Sequence, residues 1–141
     1  MGSRHVKLLL DTHILIWLAE GSDRLSDDSV QCIDEAARTT GLVVSSISFW
    51  ETAMLAERGR VNLAKPIVDW RSQILRQASI VEQVLTGEIA IESVMLPGEL
   101  HKDPADRMLA ATARVHGYRL GTRDERLLDY GAKGYVHAVE L

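Results

Sequence analysis

The sequence predicts an α/β domain, and three observations predict it. Residues 6–10 form a short apolar run without helical alternation, the pattern of a strand covered on both faces. Strand-like runs recur at 42–45, 80–85, 118–122 and 135–139 with helical pattern between them, and strand alternating with helix builds a parallel sheet. With 141 residues, 46% of them apolar, the chain is long enough for one core without disulfides or metal staples.

Taken in order, Met1-Gly2-Ser3 reads as an expression remnant and stays outside the fold argument. After the first strand a helix begins near Thr12. A second helix starts at Leu25-Ser26-Asp27-Asp28, with Ser26 as N-cap, acids in the first turn and Leu25 stapled to Val30; Gly41 closes it. Over residues 46–58, Ile47, Trp50, Met54 and Leu55 make a helical stripe that stops at Gly59. Helices are also expected over 66–77 and 104–116, each with proline in its first turn, and over 125–130. Trp17, Trp50 and Trp70 fall on helical segments, where they could anchor a partner but read first as core. No linker, repeat or low-complexity tract interrupts the chain.

The lone cysteine, Cys32, has no internal disulfide partner and is given a packing role. It suits a reducing compartment. No apolar run approaches the roughly 20 residues of a membrane span, and Asp11 and His13 break the only stretch resembling a signal peptide. A cytoplasmic protein with no membrane partner is expected.

Four acids carry the candidate chemistry. Asp11 directly follows Leu8-Leu9-Leu10, at the carboxyl end of the first strand, where open α/β sheets bind ligands; its alternative role is a helix cap. Glu51 lies four residues after Ile47 and four before Leu55, so the period turns a carboxylate inward, to be paired, protonated or bound to metal. Asp103 and Asp106 occupy the N-cap and third positions of the helix opened by Pro104, and Asp103 reads first as a cap. Ala110 and Ala113 keep the face of Asp106 narrow. Asp124 follows the strand ending at Thr122, either as a cap or as a fourth member of the site.

Four carboxylates about 5 Å apart repel by roughly 3 kcal/mol per pair at an effective dielectric of about 20. Such a group protonates in part or takes up divalent cations, and oxygen-only ligands favour Mg²⁺ or Mn²⁺ over zinc. His5, His13, His101, His116 and His137 show no zinc-ligand spacing, and no Walker or dinucleotide glycine loop is present. An acid-only metal site suits phosphodiester hydrolysis. Arg107, the nearest cation to Asp106, is assigned to the solvated surface rather than to a phosphate.

The segments Leu8-Leu9-Leu10-Asp11-Thr12-His13, Ser45-Ser46-Ile47-Ser48-Phe49-Trp50-Glu51, His101-Lys102-Asp103-Pro104-Ala105-Asp106-Arg107-Met108-Leu109-Ala110-Ala111 and Thr122-Arg123-Asp124-Glu125 stand in order along nearly the whole chain. In these the chain resembles the PIN-domain ribonucleases, in particular the VapC-type toxins of toxin–antitoxin pairs. The resemblance implies a three-layer α/β/α sandwich over residues 4–141, with a five-stranded parallel sheet of order 3-2-1-4-5. It also implies Mg²⁺- or Mn²⁺-dependent endonucleolytic cleavage of RNA, a cognate antitoxin and a homodimer. Asp11, Glu51, Asp106 and Asp124 match the family's catalytic, metal-binding quartet, with Asp11 and Asp106 the primary ligands. Thr122 and Ser46 match small polar supporting positions, and Asp103 matches the motif outside the quartet. Ala105 departs from the large apolar residue often found there.

Sixteen Lys and Arg against 20 Asp and Glu give a net charge of −4, and removing the quartet leaves sixteen of each. The overall acidity therefore does not exclude an RNA substrate. Residues 101–126 carry six basic residues, Lys102, Arg107, Arg114, Arg119, Arg123 and Arg126, that could face a phosphate backbone or be scattered over the surface. Two other classes are weighed. A receiver-like phosphoacceptor module needs an acceptor Asp after the third strand, where Val84-Leu85-Thr86-Gly87 offers none. An inert PIN-like binding domain leaves the inward Glu51 without a purpose.

Overall fold

The computed structural model describes residues 6–141; Met1 to His5, including the proposed remnant, lie outside the described residues. The elements are β1 (Leu8–Leu10), α1 (Thr12–Ala19), α2 (Asp27–Arg38), β2 (Leu42–Ser45), α3 (Ser46–Glu57), α4 (Ile67–Leu75), β3 (Ile80–Gln83), α5 (Gly87–Val94), α6 (Pro104–His116), β4 (Arg119–Thr122), α7 (Glu125–Ala132) and β5 (His137–Glu140). The five strands are ordered β3-β2-β1-β4-β5 and all pair in parallel. This is the expected order. Strand β1 is central, and its three leucines are fully buried, which is why the run shows no polar alternation.

Alternate side chains along a strand face opposite sides, so the sheet feeds two cores. Leu8, Leu10, Leu42 and Val44 pack with Ile14 and Leu15 of α1, Ile33 of α2, and Trp70 and Ile74 of α4. Leu9, Val43 and Leu120 pack with Ile89 of α5, Leu109 and Ala110 of α6, and Leu127 and Tyr130 of α7. The result is the three-layer sandwich.

Local signals placed most boundaries. The Ser26 side chain accepts the Ser29 N–H, and Leu25 and Val30 join the same core. Gly41, at φ 98°, returns its N–H to the Ala36 carbonyl at 2.7 Å. Four strand expectations shorten or slide: β1 starts at Leu8, β3 stops at Gln83, β4 starts at Arg119, and β5 runs His137–Glu140 rather than 135–139. These edges depend on which neighbour supplies the ladder. Pro66 is the N-cap of α4, just outside the first turn where it was expected. Helix α5, capped by the Thr86 hydroxyl, was not singled out in the sequence. Cys32 is free and half-buried against the first core. Trp70 is core, but Trp50 is 52% exposed, while its neighbour on the same helix, Phe49, is buried. Among the described residues no helix is long and apolar enough to cross a membrane.

Candidate active site

Strands β1 and β4 end side by side, with Leu10 paired to Gly121, so Asp11 and Thr122 emerge at the same edge. Asp11 donates its N–H to the Gly121 carbonyl at 2.9 Å, and its own carbonyl accepts Leu15 N–H to start α1. Its side chain makes no capping bond. The backbone does the work of a cap while the carboxylate stays available to the site. It is 6% exposed and accepts the Thr122 hydroxyl at Oδ2, 2.6 Å away. Burial pushes its pKa up; Thr122 and the nearby His13 oppose this, while Asp124 adds to it.

Thr122 has a second contact, since its Oγ1 accepts the Asp124 N–H at 3.0 Å. Asp124 fills the cap role foreseen for it. Its Oδ1 accepts from the N–H groups of Arg126 and Leu127 as the N-cap of α7, and Oδ2 lies 3.3 Å from Arg126 Nη2. Burial works to raise the Asp124 pKa, but the Arg126 side chain and the two backbone N–H groups outweigh it and hold the carboxyl low.

Asp106 sits on the first turn of α6, which Asp103 caps by accepting its N–H at 3.0 Å. Ala110 and Ala113 are buried as the narrow face required, and Ala105 is buried in the same core. The Asp106 carboxyl is raised from 3.8 to about 6, first by burial and then by the charges of Asp11, Asp103 and Asp124, against a hydrogen bond from His101. That bond, His101 Nε2 to Asp106 Oδ2, measures 2.6 Å. His101, without zinc-ligand spacing, is thus a carboxylate partner that spacing alone does not reveal. Glu51 on α3 is half-buried, and burial, with the charge of Asp11, raises its pKa while the Thr12 hydroxyl lowers it.

Asp11, Glu51, Asp103, Asp106 and Asp124 line one pocket of about 320 Å³, with Arg123 and Arg126 at its edge. All four members of the quartet thus converge. Among the described residues no three His, Cys, Asp or Glu side chains are already drawn together around one ion-sized point. Ser46 is not part of this pocket: its hydroxyl donates to Glu82 Oε2 at 2.6 Å. Arg107 is not a solvated surface cation either. Its guanidinium donates to the carbonyls of Ser93, Leu100, His101 and Val94 and ties α5 and the following loop to α6. Arg123 lies over the Trp17 ring, 4.8 Å from its centroid, and donates to the Leu141 carbonyl.

A family model described as PIN domain matches residues 8–133, and the chain belongs to the PIN-domain family. Over 120 residues it is 40% identical to Ribonuclease VapC22 of Mycobacterium tuberculosis, covering 85% of this chain and 88% of that relative. The fold is shared with VapBC2 from Rickettsia felis bound to a promoter DNA fragment (TM-score 0.69, 13% identity, 96% of this chain and 98% of that one). It is shared as well with DNA-bound VapBC from Salmonella typhimurium (TM-score 0.67, 17% identity, the same coverage).

Proposed function

We propose that the protein is an endoribonuclease and the toxin of a toxin–antitoxin pair, hydrolysing RNA phosphodiester bonds with Mg²⁺ or Mn²⁺ held by Asp11, Glu51, Asp106 and Asp124. Residues 4–141 form the catalytic unit, a cognate antitoxin blocks it, and it pairs as a homodimer in the cytoplasm. The kinship to a ribonuclease and to VapBC toxin–antitoxin complexes supports this. The observation that carries it is the convergence on one pocket of four carboxylates, two just beyond the ends of β1 and β4 and two on α3 and α6, three of them raised by burial.

The donor set fits a hard divalent cation. It offers only carboxylate oxygens from the quartet, and its buried charges have too few cationic partners to neutralise them. Bound there, Mg²⁺ or Mn²⁺ supplies Lewis-acid polarisation of the scissile phosphate and activation of a water. The chain holds the acids for that purpose. Thr122 fixes the Asp11 carboxylate and the Asp124 backbone with one hydroxyl, and His101 orients Asp106. Asp103 sets the first turn of α6 on which Asp106 stands.

A receiver-like module does not suit this sheet. Its phosphoacceptor strand would be central, as in the order 2-1-3-4-5, whereas β3 is an edge strand here. The test is cleavage of single-stranded RNA in Mg²⁺ or Mn²⁺, alongside Asp11→Asn. The variant is expected to lose activity on the order of a hundredfold or more. Equal cleavage by both proteins refutes the site, and calorimetry showing no Mn²⁺ uptake by the unaltered protein favours an inert binding domain.

A further inference from the structure

A second, larger pocket adjoins the acidic one, with a volume of about 560 Å³. That lies within the usual range of small-ligand sites. Its walls are the loop from Gly98 to Lys102 and the outer face of α7. Arg126 lines both pockets, and His101 lines the second while bonding Asp106 of the first. The charge changes sign across that boundary. The acidic pocket has Asp11, Glu51, Asp103, Asp106 and Asp124 against Arg123 and Arg126. Its neighbour has Lys102, Arg107, Arg126 and Lys133 against only Glu99 and Asp129.

The walls are held in place without any ligand. Arg107 binds the Leu100 and His101 carbonyls, and the Tyr130 hydroxyl donates to the Pro97 carbonyl at 2.5 Å. Gly98 takes φ 67° where a Cβ would run into the Tyr135 ring, so the loop packs closely on the core. Arg107 already spends its donors on carbonyls. Lys102 and Lys133 are exposed and lack a salt-bridge partner among the described residues. Arg126 reaches Asp124 only at 3.3 Å, with 61% of its side chain exposed.

We propose that this basic pocket is a flanking-nucleotide subsite, in which Lys102, Lys133 and Arg126 hold the backbone phosphate next to the one cleaved. The inference rests on the endoribonuclease reading and names how that site grips its substrate. A strand crossing from one pocket to the other places one phosphate over the acids and the neighbouring phosphate among the lysines. Lysine serves there as a flexible point charge that recognises phosphate rather than sequence. The subsite contributes affinity and register, and leaves base preference to other contacts.

The test uses an Asp11→Asn background and a short fluorescein-labelled single-stranded RNA of mixed sequence, titrated at several salt concentrations. Lys102→Ala with Lys133→Ala is expected to weaken binding about tenfold at low salt. It also flattens the plot of log affinity against log salt by about 0.7 for the one phosphate released. Arg38→Ala with Arg76→Ala removes equal charge away from both pockets and is expected to bind as the background protein does. Restoring charge with Lys102→Arg and Lys133→Arg recovers the affinity. In the active protein the lysine-to-alanine pair lowers kcat/KM, with the loss carried by KM. If the unaltered protein cleaves RNA but the alanine pair keeps its affinity, salt slope and KM, the subsite is refuted and the nuclease reading stands. If the unaltered protein cleaves no RNA, the nuclease reading falls and takes the subsite with it. An equal loss in the Arg38→Ala, Arg76→Ala protein shows a diffuse charge effect and also overturns the subsite.

Discussion

Replacing Asp106 by Asn separates the stability of the fold from the chemistry of the site. The carboxyl sits in the pocket with its pKa raised from 3.8 to about 6 by burial and by three neighbouring acids. Because the folded value exceeds the unfolded one, the native state binds the proton more tightly, and folding loses stability as pH climbs between those values. Each tenfold change in proton affinity is worth 1.36 kcal/mol, so the ionised side chain costs about 3 kcal/mol above pH 6. Water at the pocket mouth screens part of this, leaving about 1–2 kcal/mol. Asn keeps the shape and an acceptor for the 2.6 Å His101 bond but carries no charge. With chelator present at about pH 7.5, urea denaturation is therefore expected to show the variant more stable by that amount, and the gain to shrink toward zero near pH 4. Saturating Mg²⁺ reverses the order, because an ion at about 100 times its Kd stabilises the unaltered protein by about 2.7 kcal/mol, while the variant has lost a ligand. A chelated Asp106→Asn protein that is less stable at neutral pH, or whose gain does not depend on pH, refutes the electrostatic account of the pocket.

Two further substitutions test the scaffold. Thr122→Val removes the hydroxyl that donates to Asp11 and accepts from Asp124; a loss of about 1–3 kcal/mol in thermal or urea unfolding is expected, together with a fall in kcat that added Mn²⁺ does not restore. Arg107→Ala releases four backbone carbonyls and is expected to cost on the order of 2–3 kcal/mol, with faster hydrogen exchange in the 93–101 segment. A neutral result there would return Arg107 to the surface role that its sequence position suggested.

Much of the molecule was legible in the chain because its determinants are local. Three consecutive leucines without polar alternation require cover on both sides, so β1 is central. Asp103 before Pro104 carries the start of α6 within its own first turn, and acids directly after apolar runs land at strand ends because strand direction is shared in a parallel sheet. Asp11 and Asp124 were readable for that reason, and Glu51 from its place on a helical stripe. What tertiary structure decided are the partners, since a hydrogen bond across space leaves no spacing in the sequence. Ser46 turned toward Glu82 on β3, away from the acids. Trp50 faced outward because Phe49 holds the buried side of α3. Arg107 found carbonyls of a neighbouring helix and loop, and His101, in the loop before α6, became the partner of Asp106 on its first turn. Asp11 and Asp124 lie far apart in the sequence, and only the pairing of β1 with β4 lets one threonine hydroxyl touch both. Local pattern thus set which residues could act, and the packing of strands and helices selected their contacts, because the energy of a buried charge depends on everything around it rather than on its neighbours in the chain.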